Sequence, residues 1–364
     1  MKRIIYTCPY VPAEWIAAHG LQPSRIMPGA PASSCRKTGG GAFPVGPVEG
    51  ICPYVRAFLN EAINDKQACG VIMTTVCDQM RRGFDVLVRL RLGASPRRVR
   101  RGDPALARGQ APPAKAGVAS FLMNVPSTWQ TFAAQKLYLE ELRRLGRFLV
   151  RLGGKSPTLD SLAEVMLRYD AVRQSIRSSR AYLSARQYAE AIASLGQEGP
   201  SLGGKIENRK SKIEIAPRVH LAIIGGPLMW SDFDIFDVVE QSGGKIVFDA
   251  TESGERGLCG PFDRRRIHED PLAELANAYF GGIQDASRRP NSELYRWLAH
   301  ELAGRAVRGI IFRRYVWCDT WHAELQRLKE WTDLPVLDID VADNTGIERR
   351  RWQNRIRAFL EMLT

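Results

Sequence analysis

A buried-strand pattern that ends at a Cys-Asp pair and continues directly as a helix occurs twice in this chain. Residues 70–76 are a short apolar run that stops at Cys77, and residues 309–316 lead in the same way to Cys318. Apolar runs of this length, rich in β-branched side chains, are typical of buried parallel strands. Open α/β sheets bind ligands at the carboxyl ends of their strands. The repeated pattern therefore predicts an α/β fold in which both cysteines face a shared ligand.

The rest of the chain alternates between strand and helix patterns, which predicts parallel sheets. At about 150 residues per domain, the length suggests two or three domains. We expect an N-terminal α/β lobe over 1–130, a helical connector and linker over 131–216, and a C-terminal α/β lobe over 217–364. The Gly- and Pro-rich stretch 28–50 and the Gly- and Lys-rich stretch 197–216 are predicted to be loops.

The net charge of +13, from 52 Lys and Arg against 39 Asp and Glu, favours anionic partners such as nucleic acid or the phosphates of a CoA thioester. Much of the excess lies in a predicted basic loop, 89–117. Its Arg-rich core at 97–101 lacks interleaved aromatic residues, which argues against nucleic acid. A solvated loop or a contact with CoA phosphate remains open. Because no apolar run approaches the roughly 20 residues of a membrane span, a cytoplasmic protein without a membrane partner is expected.

The chain has seven cysteines, and this odd number argues against a disulfide framework. Cys52 precedes Pro53 at a predicted helix start, where the helix dipole favours a thiolate. Cys52, Cys77 and Cys318 are thus potential ligands of an iron–sulfur cluster, and three ligands would leave one iron of a 4Fe–4S cube open. No Cys-x-x-Cys pair is present, and spacing alone leaves open that these are buried structural cysteines.

Two other features have alternative interpretations. Residues 225–227, Gly-Gly-Pro, lie between a predicted strand and a predicted helix, so they could bind phosphate or form a tight turn. Glu14 lies at a predicted helix start. It is a candidate catalytic proton-transfer group, with a helix-start carboxylate as the alternative.

Several segments resemble the D-component family of 2-hydroxyacyl-CoA dehydratases, which also contains benzoyl-CoA reductase subunits. They follow the family's order over nearly the whole chain. These segments are Cys8-Pro-Tyr-Val-Pro-Ala-Glu, His19-Gly-Leu-Gln-Pro, Cys52-Pro-Tyr-Val-Arg, Thr75-Val-Cys-Asp-Gln-Met-Arg-Arg, Asn124-Val-Pro-Ser-Thr-Trp, Gly225-Gly-Pro-Leu, Asp249 with Arg256, and Val316-Trp-Cys-Asp.

The resemblance implies two Rossmann-like lobes with parallel sheets and a helical connector between them. It also implies one 4Fe–4S cluster as cofactor, held by Cys52, Cys77 and Cys318. Cys8 lies in a family motif but is not expected to be a ligand. The basic loop 89–117 lies where the family has a short connection, so its role is not defined by the resemblance.

The resemblance further implies an acyl-CoA thioester substrate and two protein partners. One partner is a separate ATP-dependent activator that donates one electron, and the other is a related second subunit or a second copy of the chain. The expected reaction is the elimination of water from a 2-hydroxyacyl-CoA through a ketyl radical. A benzoyl-CoA-reductase-type or double-cubane ATP-dependent reductase is the nearest alternative. A non-catalytic cluster-bearing or basic scaffold protein is the alternative from another class.

Overall fold

Two four-stranded parallel sheets form the framework of the protein. The computed structural model describes residues 1–29, 50–91, 118–198, 218–342 and 346–364. All strand pairs in both sheets are parallel. The strands of the first sheet are β1 (Arg3–Tyr6), β2 (Gln22–Arg25), β3 (Ala68–Thr74) and β4 (Ala119–Met123), and those of the second are β5 (Val219–Gly225), β6 (Gly244–Ala250), β7 (Gly309–Tyr315) and β8 (Val336–Val341).

Helices follow most strands and cover the sheets, as the alternating sequence pattern predicts. The first lobe contains α1 (Ala13–Ala18), α2 (Pro53–Asn64) and α3 (Asp78–Arg91), and the connector contains α4 (Phe132–Arg151), α5 (Leu159–Ser179) and α6 (Ala185–Glu198). The second lobe contains α7 (Asp234–Gln241), α8 (Arg264–Glu269), α9 (Pro271–Ala276), α10 (Ser292–Gly304), α11 (Asp319–Trp331) and α12 (Gly346–Leu363).

The two sheets have the same strand order, β2-β1-β3-β4 and β6-β5-β7-β8. In each sheet the chain first moves to one side of the starting strand and then crosses to its other side. The order therefore reverses between β1 and β3 in the first lobe and between β5 and β7 in the second. Ligands of open α/β sheets bind outside the carboxyl ends of the strands at such a reversal. Each lobe thus offers one ligand-binding edge.

The lobes share a hydrophobic core, so their ligand-binding edges are held in one arrangement. A cluster of buried apolar side chains extends from α2 and β3 of the first lobe to β5, β7 and α12 of the second. Within it, the rings of Tyr54 and Tyr315 lie 6.2 Å apart between centroids. Connector helix α6 packs against β2 of the first sheet and β6 of the second.

The prediction of an α/β fold with two Rossmann-like lobes is confirmed, and most predicted elements lie where the sequence placed them. Three details differ. The Ser and Thr residues that follow Pro126 predict a helix capped by Ser127 or Thr128, but α4 is capped by Thr131, whose hydroxyl accepts a hydrogen bond from Ala134 N at 3.2 Å. Helix α8 was not predicted. Residues 89–91, assigned to the basic loop, complete α3, while 92–117 lie outside the described residues.

Among the described residues, no helix is both long enough and apolar enough to span a membrane.

Candidate functional site

A cavity of about 60 Å³ lies where the ligand-binding edges of the two lobes meet. Four cysteines from separate parts of the chain line it, namely Cys8, Cys52, Cys77 and Cys318. The structure thus brings together the three cysteines predicted as ligands and adds Cys8, which was not expected to be one. The other lining residues are Thr7, Tyr54, Val55, Thr74, Val76, Gln79, Met80, Pro227, Glu252, Asp285, Ser287, Tyr315, Thr320 and Trp321.

Each of the three predicted cysteine ligands stands at the start of a helix. Cys52 is the N-cap residue of α2, Cys77 directly precedes α3, and Cys318 is the N-cap residue of α11. Backbone N–H groups of the first helical turn lower the pKa of each of these three thiols, although burial outweighs them. Helix starts carry partial positive charge and unpaired N–H donors, so they bind anions. Three such starts make the cavity a favourable place for an anionic group.

A hydrogen bond joins two of these helix starts. Gln79, in the first turn of α3, accepts a hydrogen bond through Oε1 from the backbone N–H of Cys52 at 2.8 Å. The Gln79 side chain is buried, so the bond is protected from water. It couples the position of Cys52 to that of Cys77, two residues before Gln79.

Burial dominates the protonation of the cysteine thiols. It raises the pKa of Cys77 to about 12, and the nearby Cys52 adds to this effect while the backbone N–H groups oppose it. Burial likewise raises the pKa of Cys52, against the sequence-based expectation of a favoured thiolate. For Cys318, burial raises the pKa first, and Cys77 and Cys52 raise it further. Since all three cysteines line one cavity, their raised pKa values favour the neutral thiols unless a bound cation stabilises the thiolates.

The donor set suits a cluster better than a single ion. Within the described ranges, no three His, Cys, Asp or Glu side chains converge closely enough to hold one metal ion. Cysteines around an iron–sulfur cube bind different iron atoms, so they stand farther apart. Gly226 leaves space beside the Cys318 sulfur, because it lacks the Cβ that any other residue would place 3.7 Å from this sulfur. The thiol chemistry and this cradle fit a 4Fe–4S cluster.

A buried arginine supports the cavity wall in the second lobe. Arg256 pairs with Asp285, donates from Nη2 to the Gly225 carbonyl at 2.8 Å, and lies over the Trp321 ring at 4.7 Å from its centroid. Asp285 and Trp321 both line the cavity. Arg256 thus fixes the wall next to Cys318.

The Gly-Gly-Pro segment contributes close packing at the end of β5. Gly225 has φ of 151°, and an added Cβ would lie 1.8 Å from the Arg313 carbonyl oxygen in β7. Only glycine fits here. This close approach of the β5 and β7 backbones explains the glycine at position 225, whereas the two earlier interpretations of the segment, phosphate binding and a tight turn, stay predictions.

Glu252 is a cavity residue that sequence reasoning missed. It lies in the loop after β6, between Asp249 and Arg256, the pair of the family motif. Burial and the Asp285 carboxylate together raise its pKa to about 7, while the positive charges of Arg256 and Arg25 oppose the increase. Its carboxylate has no hydrogen bond or ion pair with any described residue. Its place just after a strand end was the available signal.

Glu14, predicted as a catalytic proton-transfer group, is placed away from the cysteine cavity. It is fully buried in α1. One carboxylate oxygen accepts from Arg173 Nη1 at 2.5 Å, and the other accepts from the Tyr279 hydroxyl at 2.6 Å. With both oxygens bonded, Glu14 connects α1 to α5 and to the segment after α9. The geometry supports a structural role.

The comparison with protein-family models gave a match. Residues 114–363 match the family model described as 2-hydroxyglutaryl-CoA dehydratase, D-component. The matched region includes Cys318, Glu252 and Arg256, whereas Cys8, Cys52 and Cys77 precede it. The comparison with curated proteins found no match.

Proposed function

Because this chain belongs to the 2-hydroxyglutaryl-CoA dehydratase D-component family, we propose that it is the iron–sulfur subunit of a 2-hydroxyacyl-CoA dehydratase. In this proposal Cys52, Cys77 and Cys318 hold one 4Fe–4S cluster. The observation that carries it is the convergence of these three cysteines, up to 266 positions apart in the sequence, on a single cavity at the carboxyl ends of both sheets.

The cysteine cavity suits a redox cofactor of negative charge. Three thiolates give the cluster a net negative charge, which the three helix starts offset. The apolar walls formed by Val55, Met80 and Trp321 limit the access of water and oxygen. When bound, the cluster would supply one-electron chemistry at the thioester carbonyl of a 2-hydroxyacyl-CoA: an electron taken up as a ketyl radical would let the 2-hydroxyl leave as hydroxide, a β-proton would then be lost, and the electron would be returned, so that the net reaction is loss of water.

The proposal includes two partners. A separate ATP-dependent activator would supply the electron, and a related second subunit or a second copy of this chain would complete the enzyme. The D-component name of the family supports assembly with further components.

The first test is anaerobic purification with iron and sulfide analysis and electron paramagnetic resonance (EPR). We expect about four irons per chain, lost in Cys52→Ala, Cys77→Ala and Cys318→Ala. Cys69→Ala is the matched control, because Cys69 lies in β3 and does not line the cavity. A folded wild-type chain without iron would contradict the proposal.

The second test is turnover. The cluster-loaded chain, mixed with its partner subunit, a reduced activator and ATP, should convert 2-hydroxyglutaryl-CoA or another 2-hydroxyacyl-CoA into the 2,3-enoyl-CoA. A loaded chain that instead reduces an aromatic CoA thioester would identify the reductase alternative.

A further inference from the structure

A second cavity, separate from the cysteine cavity, lies beside β6, the edge strand of the second sheet. Its volume is about 360 Å³, which is within the range of about 300–1,000 Å³ that is common for small-molecule sites. It is lined by four arginines and is called the arginine cavity below. They are Arg177 and Arg180 at the end of connector helix α5, Arg256 in the loop after β6, and Arg305 at the end of α10.

Backbone carbonyls hold three of these arginines in place. Arg180 and Arg305 donate to carbonyls of β6, at 3.2 and 2.8 Å, and Arg177 donates to the Cys259 carbonyl. A carbonyl fixes a guanidinium group but leaves its charge uncompensated, and each guanidinium has five N–H donors. These arginines are therefore positioned with donors to spare.

Two glutamates of the arginine cavity compensate part of its positive charge. Glu255 and Glu301 both line it. Arg305 pairs with Glu255 at 2.8 Å and with Glu301 at 2.5 Å. Arg180 lies 3.6 Å from Glu255. Two carboxylates thus serve Arg180 and Arg305.

The other two arginines differ in their partners. Arg256 is neutralised by Asp285. Arg177 has no carboxylate partner among the described residues and is held by the Cys259 carbonyl. With four arginines against three carboxylates, the arginine cavity keeps one positive charge in excess. A concave site with such an excess attracts anions.

The chemistry of the lining favours an organic phosphate over a small inorganic anion. Arginine binds phosphate through paired N–H donors. The side chains of Arg180 and Arg305 are 22% and 25% exposed, so a ligand can reach them. Trp297, which is partly exposed and lines the same cavity, offers an aromatic surface on which a base can stack. An inorganic anion alone would leave most of the cavity unfilled.

We propose that the arginine cavity binds a phosphate ester of about nucleotide size, with Arg177, Arg180 and Arg305 at its phosphate groups. Two sources have this chemistry, namely a free adenine nucleotide and the nucleotide end of CoA. Arg256 lines the arginine cavity and its partner Asp285 lines the cysteine cavity, so one ion pair connects the two sites. Binding here requires no cluster, so this inference is tested separately from the proposed function.

The experiment is isothermal titration calorimetry of the full-length chain at low salt with adenosine, ADP, adenosine 3′,5′-bisphosphate and CoA. We expect the phosphate-bearing probes to bind, more weakly as salt is added, and adenosine not to bind. Arg177→Gln should weaken binding about tenfold, as for the loss of one hydrogen bond to a charged group. Tighter binding of ADP than of the bisphosphate and CoA identifies a free nucleotide as the ligand, and the reverse order identifies CoA.

Two further variants separate ligand binding from a structural role in which the arginines only cover the edge of β6. Glu301→Gln removes a negative charge from the arginine cavity and should tighten binding about threefold, which a covering role does not predict. Arg168→Gln is the matched control, because Arg168 is exposed on α5 and does not line the cavity. It should bind the probes like the wild type.

Three results would overturn the inference. They are no binding of any phosphate-bearing probe, equal affinity for adenosine and ADP, and unchanged affinity in both Arg177→Gln and Glu301→Gln. Urea unfolding checks that each variant is folded. If Arg177→Gln does not fold, the sign of the change in Glu301→Gln decides.

Discussion

Gln79 and Cys52 form a hydrogen bond of 2.8 Å between a side-chain oxygen and a backbone N–H at the starts of α3 and α2. This bond joins two elements that each carry a proposed cluster ligand. Their relative position therefore depends on a residue that cannot itself bind iron strongly.

Replacing Gln79 by Leu should reduce stability and weaken cluster retention. The variant leaves the buried N–H of Cys52 without an acceptor, which costs about 1–3 kcal/mol. Urea unfolding and iron content measure the two effects. Gln79→Glu keeps an acceptor and should retain iron, and Gln326→Leu on the exposed side of α11 should change stability by less than about 0.5 kcal/mol. Normal iron content in Gln79→Leu would show that the bond does not position Cys52.

Gly225→Ala and Gly226→Ala should differ sharply although the two residues are adjacent. At Gly225 an added Cβ would lie 1.8 Å from the Arg313 carbonyl oxygen, so we expect the free energy of unfolding to fall by at least about 3 kcal/mol. At Gly226 the atoms nearest to an added Cβ would lie 3.5 and 3.7 Å from it, so the free energy of unfolding should change by less than about 1 kcal/mol. Chemical denaturation of both variants checks this, and equal losses would contradict the close approach of β5 and β7.

Glu14→Gln should destabilise the fold without removing the cluster. Breaking a buried ion pair such as that with Arg173 leaves an uncompensated charge, at a cost of about 3–5 kcal/mol. The control is Glu269→Gln, which breaks an exposed pair with Arg265 and should cost less than about 1 kcal/mol. Chemical denaturation measures the loss of stability, and EPR of the folded fraction shows whether the cluster is retained. A stable Glu14→Gln protein with an altered cluster spectrum would instead favour the predicted role at the active site.

Ionisation of the Asp249 carboxyl should lower the free energy of unfolding as pH rises. Burial raises its pKa from 3.8 to about 6 in the folded protein, so its contribution is complete below pH 4 and is lost as pH rises through 6. Relative to Asp249→Asn, the wild type should lose about 1–3 kcal/mol over this window. Urea unfolding of the metal-free chains at several pH values provides the measurement.

Asp263 is a control of opposite sign for this pH dependence. It caps α8, and hydrogen bonds from the backbone of Arg266 and Arg265 lower its pKa. The stability that Asp263 contributes should therefore be lost as pH falls, relative to Asp263→Asn. A parallel pH response of the Asp249 and Asp263 variants would contradict one of the two assignments, and the sign of the response would show which one.

The order of the elements could be predicted from the sequence because their signals are local. Apolar β-branched runs, Pro53 after Cys52 and the Cys-Asp pairs at 77 and 318 each act over about ten residues, and the structure has the helix starts at these positions. The same signals gave the three candidate cysteines. Local signals did not identify the start of α4, because several Ser and Thr residues there could each cap the helix. The backbone geometry of the folded chain makes Thr131 the cap.

Tertiary structure decided which groups meet at the site. Cys8 and Glu252 line the cysteine cavity, whereas Glu14 does not. This difference depends on strand order and on the packing of one lobe against the other. Such contacts join residues hundreds of positions apart, as in the bond from Arg25 to the Glu252 carbonyl, and no local pattern encodes them. The sequence thus determined the elements and the thiols, and the fold determined their neighbours.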